Sequence, residues 1–185
     1  MRLSIFALLL AAPMATAGAQ ADDFKLEPGF TLLFNGKNLD GWKEFGGKKE
    51  ALDGKTEAYA GRFKVVEGRI VLDPAVKGDV HIETAKEFAK DVRIKFDFKP
   101  GPKCNNDVFL RGTKFDINPA GKEAKTSKEG EWSTFEIIVT GDKIEHKIGA
   151  ETARTATLKA DAPASPFRLR AEFGSLEIKN IRVKE

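Results

Sequence analysis

The sequence predicts an all-β protein, an antiparallel β-sandwich, and three observations carry that prediction. Apolar residues recur with a period of two over most of the chain. The alternating runs are separated by short turns built on glycine. No long window carries the three-to-four spacing of an amphipathic helix. Strands that follow one another through tight turns, without crossover helices, pair antiparallel and stack as two sheets.

The first residues stand apart from this pattern. Arg2 precedes an apolar run, Leu3 to Ala12, of about ten residues, the length of a signal-peptide core and about half that of a membrane span. Ala15-Thr16-Ala17 and Ala17-Gly18-Ala19 both fit a cleavage site, and no cysteine stands near them to take a lipid. Residues 1–19 therefore read as a signal peptide and 24–185 as a single β-sandwich domain. The protein is expected to be exported, to the periplasm or outside the cell, with no membrane attachment after cleavage.

The elements follow in order. "GFTLLFNGKNLDGWK", residues 29–43, opens as a strand through Phe30, Leu32, Leu33 and Phe34. It then breaks at two turn pairs, Asn35-Gly36 and Asp40-Gly41, which would swing the chain around one end of the sandwich, with Trp42 either a plug over that end or, on the plainer reading, a core residue. "KVVEGRIVL" reads as a hairpin turning at Glu67-Gly68. "TAKEFAKD" has room for one helical turn between two strands. "DVRIKFDF" puts Val92, Ile94, Phe96 and Phe98 on one face, and "STFEIIV" does the same with Phe135, Ile137 and Val139. "IIVTGDKIEHKI" turns at Gly141-Asp142. "PFRLRAEF" sets Phe167, Leu169, Ala171 and Phe173 against Arg168, Arg170 and Glu172, and the chain turns again at Gly174-Ser175. "DPAVKGD", "PGPKCNND", "NPAGKEAKTSKEGE" and "ADAPASP" are the loops between strands.

Composition narrows the function. The 185 residues carry 31 Lys and Arg against 28 Asp and Glu, a formal net charge of +3. The two signs are interspersed, whereas nucleic-acid binding by counterion release calls for clustered cations. The one cysteine, Cys104, cannot form an internal disulfide, and a domain of this size buries about two thirds of its unfolded surface without such a staple. Its thiol is either buried and idle or exposed and reactive. No feature of the sequence signals an oligomeric state.

The quoted stretches resemble, in order, the segments of the 3-keto-disaccharide hydrolase domain family. "GFTLLFNGKNLDGWK" is similar to that family's opening, "FKVVEGRIVL" to its strand-turn-strand, and "NNDVFLRG" to its Asn-Ser-Gly-Val-Phe-Leu-Arg segment. "GEWSTFEIIVTGDKIEHKI" resembles its Gly-Glu-Trp-Asn and Glu-His strands, and "SLEIKNIRVKE" its closing strand. The resemblance spans residues 29–183 and implies a concanavalin A-like jelly roll. It also implies an exported, carbohydrate-active hydrolase or lyase that cleaves glycosides whose glucose is a ketone at carbon 3. The chain departs from the family in three places. It lacks the longer middle segment, having only "KFDINPAGKEAKTSKEGEW"; it has Phe173 where the family has a histidine; and it has Lys147 where a tryptophan follows the Glu-His pair.

A ketone at carbon 3 acidifies the proton on carbon 2. Such a site needs a base, a cation or donor for the enolate oxygen, and an acid for the leaving group. Asp116 lies opposite in phase to Phe115 and Ile117; if that face is open it is a base or a metal ligand, and otherwise a surface carboxylate. Asp116 and Asn118, in "FDIN", also stand where the resemblance puts an acidic residue and a glutamine. His146 shares the side of Ile144 and Ile148, so it is a core residue or a catalytic partner. His81 precedes "IET" with no evident partner. Arg111 ends "VFLR" and would hold a sugar hydroxyl or the enolate oxygen, or else sit in a rim salt bridge. Asn105, Asn106 and Asp107 form an oxygen-rich loop for sugar hydroxyls or for a divalent cation such as calcium. Trp132 either stacks on a sugar ring or fills the core. No nucleophile elbow, phosphate loop or zinc motif is present. The expected partner is thus a sugar or glycoside, either cleaved or, in the alternative, held by a non-catalytic glycan-binding module or interaction domain of the same fold.

Overall fold

The computed structural model describes residues 24–47, 49–159 and 161–185, and the expected signal peptide and its cleavage sites lie outside the described residues. Within them the period-two runs become strands, and no helix is present among the described residues. The strands are β1 (Thr31–Leu32), β2 (Trp42–Glu44), β3 (Glu57–Ala58), β4 (Phe63–Val66), β5 (Arg69–Leu72), β6 (Val80–Phe88), β7 (Val92–Pro100), β8 (Asn105–Leu110), β9 (Thr113–Ile117), β10 (Ser133–Thr140), β11 (Lys143–Ile148), β12 (Glu151–Thr157), β13 (Ser165–Phe173) and β14 (Leu176–Lys184).

The larger sheet runs β12-β11-β10-β7-β14-β5-β4-β3, with β1 paired to the far end of β14; the smaller runs β2-β6-β13-β8-β9. Every pairing is antiparallel. The apolar faces of the two sheets meet in one core. Phe96 of β7 lies at its centre, with ring centroids 5.0 Å from Phe135 of β10 and 5.8 Å from Phe167 of β13, so it bridges both sheets. The Glu67-Gly68 hairpin forms as expected, both residues having positive φ (48° and 79°), which matches the twist of the flanking strands.

Four expectations are modified. The opening strand shrinks to Thr31–Leu32, both exposed. Trp42 is the core residue of its two readings and not a plug over one end. It lies within β2, buried, edge-on to Phe167, and its indole N–H donates to the Leu33 carbonyl at 2.7 Å. The two turn pairs ahead of it serve to join loops: Asp40 accepts from the Gly54 N–H (2.6 Å) and Asp53 from the Gly41 N–H (2.7 Å), which fixes the entry into β2. The "TAKEFAKD" segment is no helical turn, because Glu87 and Phe88 pair with Pro166 and Ser165 of β13 and the ladder overrides local propensity.

Phe173 departs furthest. The alternation of "PFRLRAEF" places it in the core, yet it is 61% exposed. The cause is a β-bulge. Arg170 pairs with Asp107 but Phe173 pairs with Asn105, so three steps on β13 match two on β8 and the side chain changes face. The buried amide of Asn106 holds the bulge, accepting from the Glu172 N–H at 2.9 Å and donating to the Phe173 carbonyl at 2.9 Å. Gly174 follows at φ +66°, where a Cβ would stand 2.3 Å from the Lys103 carbonyl oxygen, so only glycine fits the turn.

Candidate functional site

The outer face of the five-stranded sheet carries the densest cluster of titratable groups. Alternation points Ile82, Val108, Phe115 and Leu169 inward, so their neighbours in sequence point outward. Strand register then aligns those neighbours in two rows across the sheet. The first row reads Lys43, Glu83, Arg168, Phe109, Lys114, and the second reads His81, Arg170, Asp107, Asp116.

Arg170 is the hub of the second row. Its guanidinium donates to both oxygens of Asp79 (2.7 and 2.6 Å) and to Asp107 Oδ2 (2.7 Å), and lies 3.0 Å from Glu172. Asp107 is the deepest group, with a side chain only 1% exposed. Its second oxygen, Oδ1, accepts no hydrogen bond, and the Lys114 ammonium stands 3.7 Å away. Asp116 faces Asp107 across the β8–β9 pair and holds Lys114 at 2.5 Å. Its backbone N–H donates to Glu123 (2.8 Å), which Arg154 also binds (2.8 Å), so the short middle segment is strapped against β9.

These surroundings separate the two carboxyls. Burial first, then the adjacent Asp116 carboxyl, push Asp107 up to about 6 against the pull of Arg170. Burial also acts to raise Asp116, but Lys114 and the neighbouring Asp107 outweigh it and hold Asp116 below the usual carboxylate range. The pair thus keeps one proton into mildly acidic conditions, with the charge on Asp116. At the row's other end His81 is lowered to about 4, by burial first and then by the charges of Arg168 and Arg170, so its imidazole is neutral at pH 7. The His81 ring lies 5.1 Å from Phe45 and 5.8 Å from Phe109, and Arg168 is held between the same two rings at 4.0 and 4.2 Å. A groove of about 500 Å³ opens beside Arg168.

The outer face of the smaller sheet thus carries a cross-strand carboxyl pair whose two members are pushed in opposite directions, with Arg170 and Lys114 beside it. The family model for the 3-keto-alpha-glucoside-1,2-lyase-like domain matches residues 29–184. The chain belongs to that family. No curated protein matches it. Two solved structures of candidate glycosyl hydrolases from Parabacteroides distasonis superpose with TM-scores of 0.60 and 0.61 at 19% and 15% identity; each covers 84% of this chain, and 93% and 98% of their own. The carbohydrate-binding module CBM66 of Bacillus subtilis superposes at 0.54 with 10% identity, covering 78% of this chain and 96% of its own. At these identities the likeness is one of fold, and it makes this member of the 3-keto-alpha-glucoside-1,2-lyase-like family a concanavalin A-like jelly roll.

The residues singled out in the sequence are dispersed by the fold. Asp107 and Asp116 meet on the open face. Asn105 and Asn118 continue that face at the strand ends, joined by a 3.4 Å hydrogen bond. Asn106 points inward to clamp the β13 bulge. The Asn105-Asn106-Asp107 run is therefore strand, with side chains on alternating faces, and does not fit a calcium ligand set. Among the described residues no group of three or more His, Cys, Asp or Glu is placed to hold a metal ion. His146 is 1% exposed in the core, its ring 5.0 Å from Phe115, and burial lowers it to about 4. Phe115 and Asp116 point to opposite faces of β9, so β9 separates His146 from Asp116. Arg111 sits in the β8–β9 turn at φ 50° and donates to the carbonyls of Ala89 (2.7 Å) and Ala162 (2.8 Å), a strap at one end of the sandwich. Trp132 lies on the outer face of the larger sheet, with Lys179 and Lys99 at 4.4 and 5.2 Å from its ring.

Arg168, Arg170, Lys114 and Asp79 belong to no sequence motif, and none of them stands near His81 in the chain except Asp79. The Asp107–Asp116 pairing did have a signal. A two-residue turn at Arg111-Gly112, counted outward, sets Leu110 against Thr113 and Asp107 against Asp116. The Arg170–Asp79 contact, across 91 positions of sequence, had none.

Proposed function

We propose that this protein cleaves glycosides whose glucose ring is a ketone at carbon 3, on the outer face of the five-stranded sheet. The observation that carries the reading is the Asp107–Asp116 pair, two carboxyls facing each other across β8 and β9 whose surroundings raise Asp107 and lower Asp116. The Asp116 carboxylate takes the carbon-2 proton, and the electron pair moves onto the carbon-3 oxygen as an enolate facing Lys114. The enolate collapses with loss of the carbon-1 oxygen, which takes the Asp107 proton. Addition of water across the resulting double bond turns the elimination into a net hydrolysis. Neutral His81 and the Phe45–Arg168–Phe109 stack border the ring position. Export through residues 1–19 belongs to the same proposal.

The test is consumption of a 3-keto-glucoside by the wild type and by Asp116→Asn, which keeps shape and removes the base. Turnover is expected to fall by ~10²–10⁴-fold, the usual worth of a positioned base. Unchanged turnover would move the base elsewhere. A second reading, a glycan-binding module, is favoured by one observation: Arg170 already satisfies three carboxylates, so the face is rigid without a ligand. Calorimetric binding of a sugar without wild-type turnover of the keto-sugar would select it.

A further inference from the structure

We infer that Phe173 forms an aglycone subsite, specific for a flat apolar group attached at carbon 1 of the sugar. The inference rests on the proposed function for its sugar end only. A pocket of about 410 Å³ lies at the end of β13, between Phe173 and Glu172 on one side and the loop of Pro74, Val76 and Asp79 on the other. It is linked to the carboxyl pair through side chains, because Asp79 both lines it and binds Arg170, which in turn binds Asp107.

Both walls are fixed in advance. Phe173 is 61% exposed, yet the buried Asn106 amide holds the backbone on either side of its Cα, and the Gly174 turn admits no side chain. Across the pocket, Arg62, 2% exposed, donates to the carbonyls of Asp73 (2.6 Å) and Gly78 (3.4 Å) and spans the loop between them. Asp73 also binds Lys64 at 2.9 Å. A large apolar ring left in water on a rigid frame is an offered contact surface.

The chemistry of the lining selects the occupant. A second sugar ring would need free hydrogen-bonding groups along its edge. The two carboxylates here, Asp79 and Glu172, are both engaged by Arg170. What remains along the lining is the face of Phe173, the side chains of Val76 and Pro74, and one ammonium, Lys77, too few donors to follow the hydroxyls of a sugar ring. That combination suits an aromatic aglycone, which stacks on a ring and asks for no donors.

The experiment uses phenyl and methyl pairs of glucosides with the mature protein, Phe173→Ala, and Val76→Ser on the opposite wall. In the turnover arm, kcat/KM of the phenyl 3-keto-glucoside should exceed that of the methyl one by ~3–10-fold in the wild type, and this ratio should fall to near one in both variants. In the binding arm, the ordinary, non-ketone glucosides are titrated by calorimetry, with the same preference and the same loss expected. Turnover absent on both keto-glucosides, with phenyl-selective binding lost in Phe173→Ala, would defeat the proposed reaction and uphold the subsite. Turnover with equal phenyl and methyl values in the wild type, or a preference that both variants retain, would overturn the subsite and leave the reaction standing.

Discussion

At the scale of residues, burial does opposite things to Asp107 and to the histidines. Asp107 is raised to about 6 in the folded protein, above an ordinary carboxyl near 4. A raised acid contributes stability that is full below its unfolded pKa and lost as pH climbs through the folded value. Asp107→Asn removes this dependence, so in paired thermal melts the melting temperature of the variant should gain on the wild type from about pH 4, the ordinary carboxyl value, to just past the raised value of about 6. In turnover, the same proton on Asp107 implies a decline in kcat/KM toward alkaline pH with an apparent pKa near 6, a macroscopic value of the pair that Asp107→Asn should abolish.

His146 has the reverse sign. Burial lowers it to about 4, so the stability it contributes is present above the ordinary histidine value near 6.5 and is lost as pH falls toward the folded one. His146→Leu fills the same space among Phe115 and Phe135. It should leave turnover within about twofold, as expected of a group that touches no substrate, and make the protein less sensitive to acid between those two pH values. A large loss of turnover with an intact fold would return His146 to the mechanism.

At the scale of elements, the bulge on β13 couples packing to the site. Ahead of it, Phe167, Leu169 and Ala171 are core while Arg168 and Arg170 face outward; beyond it, the next aromatic is outside. Asn106→Ala leaves the Glu172 N–H and the Phe173 carbonyl unpaired, at a cost of roughly 2–3 kcal/mol, readable as a shift of the urea midpoint. A shift under about 0.5 kcal/mol, typical of a surface site, would show that the bulge holds itself. The bulge also marks where the sequence became illegible. Alternation requires only neighbours in sequence, so β7, β10 and most of β13 could be read directly. A bulge inserts one residue against a partner strand whose register is set far away, and no local pattern announces it. The same reasoning divides the site: Asp116 and Asp107 belong to one hairpin and were within reach, whereas Arg170 and His81 meet only because β13 and β6 pair across the fold.

At the scale of the whole molecule, the described domain and the segment before it are separate questions. Among the described residues the buried apolar core runs from Phe34 to Val183, and the apolar run at Leu3 to Ala12 lies outside the described residues. Removal of that run should therefore leave folding intact. N-terminal sequencing of the protein recovered from the producing cell is expected to start between residues 18 and 22; recovery of chains that still begin at Met1 would refute export by cleavage.

The single thiol gives the folded protein a built-in reporter. Cys104 is buried at the mouth of β8, its S–H donates to the Ile117 carbonyl at 3.2 Å, and burial pushes its pKa up to about 11. Almost none of it is thiolate at neutral pH, so oxidants and alkylating reagents have nothing to attack while the strand is closed. Iodoacetamide would then label only chains in which the thiol has been uncovered, and the label's accumulation would report how often the two strands that carry Asp107 and Asp116 stand open.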